Sequence, residues 1–196
     1  MRIVLATSNR GKVREIISFF GDIDVVAYTD IIEPFEIEED GKTYAQNALI
    51  KARAVFKALN DENTVVLSDD SGISVPLLGN EPGIHSARYA GADASDKDNL
   101  KKLIETIKKQ DVTKTPAFYT AAIAIVSKDA EQVVHGWMHG EVILEERGTN
   151  GFGYDPIFIP KGYDKTLGEL GDDVKKAISH RFQALELAHI LLKAYR

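Results

Sequence analysis

The sequence predicts an α/β fold in which a mixed sheet is flanked by helices. Three observations carry this expectation. Strand-length apolar runs and helix-period segments alternate over the first 75 residues, as in parallel βα units. Two long apolar runs, residues 117–126 and 132–143, flank Ser127-Lys128-Asp129-Ala130, the pattern of an antiparallel hairpin. The 196 residues, 44% of them hydrophobic and 28% charged, suffice for one soluble domain with a sizeable core. No internal repeat, low-complexity tract or clear linker divides the chain, so residues 1–196 read as a single domain.

Each element has its own signal. Residues 1–6 read as a short buried strand. It runs into Thr7-Ser8-Asn9-Arg10-Gly11-Lys12 and then a helix with Val13, Ile16, Ile17 and Phe20 at i, i+3, i+4, i+7. Residues 24–28 read as a strand and residues 29–42 as an acidic connector. Thr43-x-x-Gln46 reads as a capping box, opening a helix with Ala45, Ala48, Leu49, Ala52, Val55, Phe56 and Leu59 on its apolar face. A strand at residues 64–68 is expected to end at Asp69-Asp70-Ser71-Gly72, with extended chain resuming at Ile73-Ser74-Val75. Residues 79–95, rich in Gly, Ala and Ser, read as a loop. Ser95-x-x-Asp98 caps a helix whose inner face is Leu100, Leu103, Ile104 and Ile107. After the hairpin come a flexible loop at residues 148–153 and a short Pro-bounded strand at 156–160. The last helix starts near Val174, with Ala184, Leu187, Ala188 and Leu191 as its inner stripe.

Composition excludes several functions. A net charge of −6 disfavours wrapping nucleic acid, where affinity comes mostly from neutralised phosphates. The absence of cysteine removes disulfides, thiol catalysis and Cys-type zinc sites and fits a reducing cytoplasm. The apolar stretch at residues 3–6 is too short for a signal peptide, and no segment is long enough to span a membrane. A cytoplasmic protein is expected.

The loop from Thr7 to Lys12 stands where a strand meets a helix N-terminus. Free N–H groups, the helix dipole and Lys12 all favour an anion there, with phosphate the natural guest. An ordinary βα turn with a solvated lysine has the same pattern. Ala6 and Val13 stand where a Walker A motif needs Gly and Ser/Thr, and the dinucleotide-binding glycine triplet is absent. Asp69-Asp70 pairs carboxylates able to hold Mg2+ or orient a water; two solvated aspartates in a turn would read the same. The acidic connector ends at Glu38-Glu39-Asp40, one of which can supply a second metal ligand. Asn47 and Lys51 flank the apolar face of the following helix, where Lys51 can neutralise carboxylates. Gly151-Phe152-Gly153-Tyr154-Asp155-Pro156 offers aromatics for base stacking. Near the last helix, Lys175 can reach a phosphate, and His180 and Arg181 can donate to a base carbonyl. His85, His135, His139 and His189 show no ligand spacing.

Taken together, Thr7–Lys12, Ser68–Gly72, Pro82–Gly91, Gly151–Pro156 and Ala177–Arg181 resemble the inosine triphosphate pyrophosphatase family, the XTP/dITP diphosphatases. Five blocks in order, across essentially the whole chain, make the resemblance specific. It implies an elongated, two-lobed α/β domain with a central cleft, usually a homodimer. It also implies Mg2+-dependent hydrolysis of ITP, dITP or XTP to the monophosphate and pyrophosphate, cleansing the nucleotide pool. It matches Thr7, Ser8, Asn9, Arg10, Gly11 and Lys12 to the triphosphate loop, and Asp70 to the catalytic proton acceptor. Asp70 and Glu39 match the metal ligands. Ser71, Phe152, Gly153, Tyr154, Asp155, Lys175, His180 and Arg181 match nucleotide contacts. The family often has Gly where this chain has Ser8. A pyrophosphatase for modified pyrimidine nucleotides and a non-catalytic nucleotide-sensing module are the alternative readings.

Overall fold

The computed structural model describes residues 2–21 and 23–193. In chain order the strands are β1 (Ile3–Leu5), β2 (Val25–Ala27), β3 (Val65–Val75), β4 (Glu81–Pro82), β5 (Lys114–Val126), β6 (Glu131–Ile143) and β7 (Phe158–Pro160). The helices are α1 (Arg10–Phe20), α2 (Tyr44–Leu59), α3 (Asp96–Lys108), α4 (Asp172–Ile178) and α5 (His180–Leu192). Among the described residues the strands form one mixed sheet of order β2-β1-β3-β5-β6-β7, with β4 paired to β3. β1 is parallel to β2 and β3, whereas β4 and β7 pair antiparallel with β3 and β6. The predicted α/β class with a mixed, helix-flanked sheet is therefore what the chain adopts.

The chain divides into two compact units. One comprises residues 1–70, 121–136 and 181–196; the other comprises residues 71–120 and 137–180. In the first unit, alternate residues of each strand serve opposite faces. Ile3, Leu5, Val65 and Leu67 pack with Ile16 and Phe20 of α1 and with Ala184, Leu185, Ala188 and Leu192 of α5. Val4, Ala6 and Val66 pack instead with Ala48, Ala52 and Val55 of α2. In the second unit, Leu100, Leu103, Ile104 and Ile107 of α3 pack with Ile73, Val75, Met138, Val142 and Phe158. Gly140 lies where β7 pairs with β6, and a Cβ there would come within 2.2 Å of the Ile159 carbonyl oxygen.

Local structure departs from expectation in identifiable places. β3 does not end at Asp69 but continues to Val75, because Ser68, Asp69 and Asp70 are buried with polar partners rather than turned to solvent. Residues 79–95 contain β4 and a 3-10 turn, Gly83–Arg88, closed by Ser86. Residues 156–160 begin in a 3-10 turn, and only Phe158–Pro160 is strand. The last helix is two helices, since Ser179 is extended with ψ 135°. On α5, Leu185 and Leu192 are buried in place of Leu187, which is 46% exposed. The expected box at Thr43 is only half formed: Thr43 Oγ1 accepts from the Gln46 N–H, but Gln46 Oε1 accepts from the Lys42 N–H. At Ser95 and Asp98 both arms of the box form. Of the first predicted strand, Ile3–Leu5 is observed, and Met1 lies outside the described residues.

Candidate active site

The sequence-predicted residues fall into two sets, one in each unit. In the first unit, successive side chains of β3 point to opposite faces, so Asp69 and Asp70 meet different partners. Asp69 faces α1 and α5. Arg181 donates to it through Nε at 3.0 Å and Nη2 at 3.5 Å. The Lys12 ammonium lies 2.5 Å from its Oδ1 and 3.4 Å from its backbone carbonyl oxygen. Burial alone would raise the pKa of Asp69, but Arg181 and Lys12 overwhelm it and hold the carboxyl well below its usual range. The Arg181 guanidinium, expected at a base carbonyl, is turned to Asp69 and to Glu15, whose Oε2 is 2.5 Å from Nη1. Burial opposes its charge, yet Asp69 and Glu15 hold it above its ordinary range.

Asp70 faces α2. Its Oδ1 accepts from Lys51 Nζ at 3.0 Å, and the same ammonium is 3.1 Å from Glu39 Oε2. Burial raises the Asp70 pKa and is not fully offset by Lys51 and Lys12. For Lys51, Asp70 and Glu39 outweigh burial and raise the pKa. Glu39, rather than exposed Glu38 or Asp40, is thus the member of the acidic connector that joins the cluster. Its approach is set by chain packing at the start of α2. A Cβ on Gly41 would come within 2.5 Å of Asn47 Oδ1, so only glycine lets the connector lie this close.

A hard cation suits this cluster. Asp70 Oδ2 is buried with no hydrogen-bond partner, and every donor beside Lys51 is a carboxylate oxygen. Among the described residues no group of three or more His, Cys, Asp or Glu side chains could hold a metal. Two carboxylates could still lend oxygen ligands to a hard cation that keeps most of its waters.

The predicted triphosphate loop is largely the first turn of α1. Asn9 is the N-cap, its Oδ1 accepting from the Lys12 N–H at 3.1 Å, and Thr7 Oγ1 accepts from the Asn9 N–H at 3.2 Å. Arg10, Gly11 and Lys12 are helical, while Ser8, Asn9 and Arg10 are exposed. Burial lowers the Lys12 pKa despite Asp69. Both contacts described for its ammonium go to Asp69, and an ammonium has three N–H donors.

The second unit holds the remaining predicted residues. Ser71 follows Asp70 on β3 and is half-buried. Asp155 is a buried hub: its Oδ2 accepts from Lys175 Nζ at 2.8 Å and from the Phe152 N–H at 3.0 Å. Gly151, at φ +76°, passes so close that a Cβ would lie 2.0 Å from that oxygen. The Lys175 ammonium sits 4.9 Å above the Phe152 ring. The Gly153 N–H donates to Asp96 Oδ2 at 3.0 Å, and the Tyr154 hydroxyl donates to the Ser86 carbonyl at 2.7 Å. His180 is buried with its ring stacked on Tyr119.

Sequence reasoning missed Glu15, Ser86, Asp96 and Tyr119. Glu15 lies three residues after Lys12, on the same helix face, which is a weak signal. Ser86 lies within the Pro82–Gly91 block but carried no role of its own, and nothing local marks Asp96 or Tyr119. Among the described residues no helix is long and apolar enough to cross a membrane.

Comparison with known proteins identifies the family. A protein of Sulfurimonas denitrificans called dITP/XTP pyrophosphatase is 62% identical over 197 residues, covering 98% of this chain and 99% of its own. A protein of the same description from Nautilia profundicola is 59% identical over 194 residues, covering 99% and 98%. Among solved structures, a HAM1 protein from Coxiella burnetii superposes with TM-score 0.87 at 38% identity, covering 99% of each chain. The Staphylococcus aureus Ham1 protein gives 0.86 at 38% identity, covering all of both chains. The Ham1 family model matches residues 3–189, and with near-full-length relatives at this identity the chain belongs to the Ham1 family.

Proposed function

We propose that this protein is a nucleoside triphosphate pyrophosphatase. It hydrolyses the non-standard purine nucleotides dITP, XTP and ITP at the α–β anhydride, releasing the monophosphate and pyrophosphate. The relatives named above carry the names of that activity. The observation that carries the reading is the contrast between adjacent aspartates: Asp69 is committed to two cations, whereas Asp70 keeps one buried oxygen without a hydrogen-bond partner.

That contrast supports Asp70 in the acid–base role. A carboxylate held far below its usual range is a poor proton acceptor, and one raised by burial is a better one. Asp70 therefore takes the proton from the water that attacks the α-phosphorus. The new bond is water oxygen to phosphorus; the bond broken joins the α-phosphorus to the bridging oxygen, which leaves on pyrophosphate. Asp70 and Glu39 would hold Mg2+, which when bound neutralises phosphate charge and acidifies water. Lys51 pairs with both carboxylates and holds them in place. Lys12 directs its third N–H, with free N–H groups of the first turn of α1, at the β- and γ-phosphates and so steadies departing pyrophosphate. Arg181 acts at one remove, holding Asp69 so that Lys12 is fixed.

The second set supplies base recognition. Tyr154, expected at the base, is packed in the core with its hydroxyl on the Ser86 carbonyl, whereas Phe152 presents aromatic surface, Lys175 a cation, and His180 a donor for the 6-oxo group that hypoxanthine and xanthine share. A donor aimed at that oxygen is left unpaired by the 6-amino group of adenine, the kind of mismatch that gives large selectivity. The protein is proposed to work in the cytoplasm as a homodimer, as the family resemblance implies.

The test is to incubate purified protein and Mg2+ with ITP, dITP, XTP, GTP and ATP, assaying pyrophosphate and orthophosphate separately. Pyrophosphate from the first three, with little from GTP or ATP, is the expected result. Orthophosphate as the first product would place attack at the γ-phosphate and refute the mechanism.

A further inference from the structure

Tyr119 sits on β5 where its two ends meet two different members of the second residue set. Its hydroxyl is 3.4 Å from Asp155 Oδ1. Its ring lies 4.8 Å from the His180 imidazole with planes 13° apart. A third contact, edge-on to Phe158 at 4.8 Å, fixes the ring from the core side. The residue is 7% exposed, so its ring has little room to reorient. Asp155 in turn holds the Phe152 N–H and the Lys175 ammonium. One side chain therefore touches both the carboxylate that organises the residue 151–155 loop and the imidazole that begins α5.

A strand position this deep normally needs only an apolar side chain. Phenylalanine would fill the same volume and keep the stacking, so the hydroxyl is what a purely packing role leaves unexplained. Its acceptor is the buried Asp155 carboxyl, 3.4 Å away. The stack meanwhile limits rotation of the imidazole plane, and the direction of a ring N–H follows from that plane.

We infer that Tyr119 is a positioning residue for purine discrimination. Its ring sets the plane of His180, and its hydroxyl sets the rotamer of Asp155 and through it the Phe152 loop. The two contacts hold the base-recognising groups as one rigid arrangement. The inference rests on the proposed function: it concerns how tightly that same residue set refuses adenine, whose 6-amino donor stands where hypoxanthine has its 6-oxo acceptor.

The test uses the protein with Mg2+ and the variants Tyr119→Phe and Tyr119→Leu, with kcat and KM measured for ITP and ATP and the thermal midpoint followed by circular dichroism. Tyr119→Phe removes the hydroxyl alone. It is expected to raise KM for ITP about 3- to 10-fold, the size of one lost hydrogen bond, with kcat within about twofold because the contact is the same in ground and transition states. The ratio of kcat/KM for ITP over ATP falls. Tyr119→Leu loses the stack as well and lowers the ratio further. Folded variants whose KM and ITP/ATP ratio stay within about twofold of wild type would overturn the inference. So would a fall in kcat or thermal midpoint at an unchanged ratio, the mark of a merely structural role. If the leucine variant does not fold, the phenylalanine variant decides alone. Absence of ITP turnover by the wild type would sink the functional reading and this inference together, whereas normal wild-type turnover with unaltered variants removes only Tyr119.

Discussion

Replacing Asp69 and Asp70 by asparagine, one at a time, separates neighbouring residues that conservative chemistry would treat alike. Asp69 is fully buried and bonded to Arg181 and Lys12. Asparagine there takes the carboxylate away from both the Lys12 ammonium and the Arg181 guanidinium. Breaking a buried ion pair from one side typically costs about 3–5 kcal/mol. For a chain of this length that lowers the thermal midpoint by roughly 10 °C or more. The pH dependence has a definite sign. The folded carboxyl is held far below its unfolded value of about 3.9. Its stabilisation is complete above that value and fades as pH falls from there toward the folded one. Asp69→Asn should therefore flatten the loss of stability below about pH 4. Asp70 has the opposite sign, because burial raises its pKa and the ionised form costs stability near neutrality. Asp70→Asn should stay within about 1 kcal/mol of wild type or exceed it, while pyrophosphate release from ITP collapses. Urea unfolding followed by circular dichroism at pH 7 and pH 3.5 measures both. Equal destabilisation by the two variants, or an unchanged acid slope in Asp69→Asn, would refute the assignment of opposite roles.

Further outcomes follow from single contacts. Gly151→Ala forces a side chain onto Asp155 Oδ2 at a positive φ; KM for ITP should rise about tenfold or more while secondary structure by circular dichroism is retained. Lys175→Met leaves the Asp155 carboxylate buried without its cation, which should cost about 3–5 kcal/mol in urea unfolding. Ser86→Ala strips the acceptor from the Ile73 N–H and the donor to the Gly83 carbonyl; about 1–3 kcal/mol of stability should be lost, measured in the same way. Chelation with EDTA should abolish ITP hydrolysis and excess Mg2+ restore it, read by pyrophosphate release; full turnover in the chelator would remove Glu39 and Asp70 as metal ligands.

The sequence reading reached the elements more easily than the contacts. Helix α3 was legible because its capping pair and its four inner residues sit at ideal spacing, and all four are buried. The last helix was misjudged as continuous because Ser179 is not a helix breaker in the way Pro or Gly is; its extended backbone has no local marker. The site shows the same division. Lys12, Asp70 and Lys175 could be singled out because their residue types carry chemistry in short motifs. Glu15 meets Arg181 across 166 positions and Arg181 meets Asp69 across 112. Such pairings are fixed by how α1 and α5 pack against β3, which no local pattern encodes. Hence Arg181 was expected to face the base, although its carboxylate partners were already in the sequence.

The extension of β3 through the acidic pair has a functional consequence. Had the strand ended at Ser68, both aspartates would occupy a turn, and solvent would have given them similar acidities. Inside a strand the two-residue period sends Asp69 toward α1 and α5 with Val65 and Leu67, and Asp70 toward α2 with Val66. Ser68, on the Asp70 side, donates to the Ala48 carbonyl and ties that face of the strand to α2. Each helix then contributes its own cation: Lys12 from α1, Arg181 from α5 and Lys51 from α2. Two cations meet Asp69 and hold its carboxyl low; one meets Asp70 and leaves an oxygen over. The proposed division of labour between a structural carboxylate and a reactive one thus has its basis in backbone geometry, and a rigid strand holds Asp70 in place without a loop having to close.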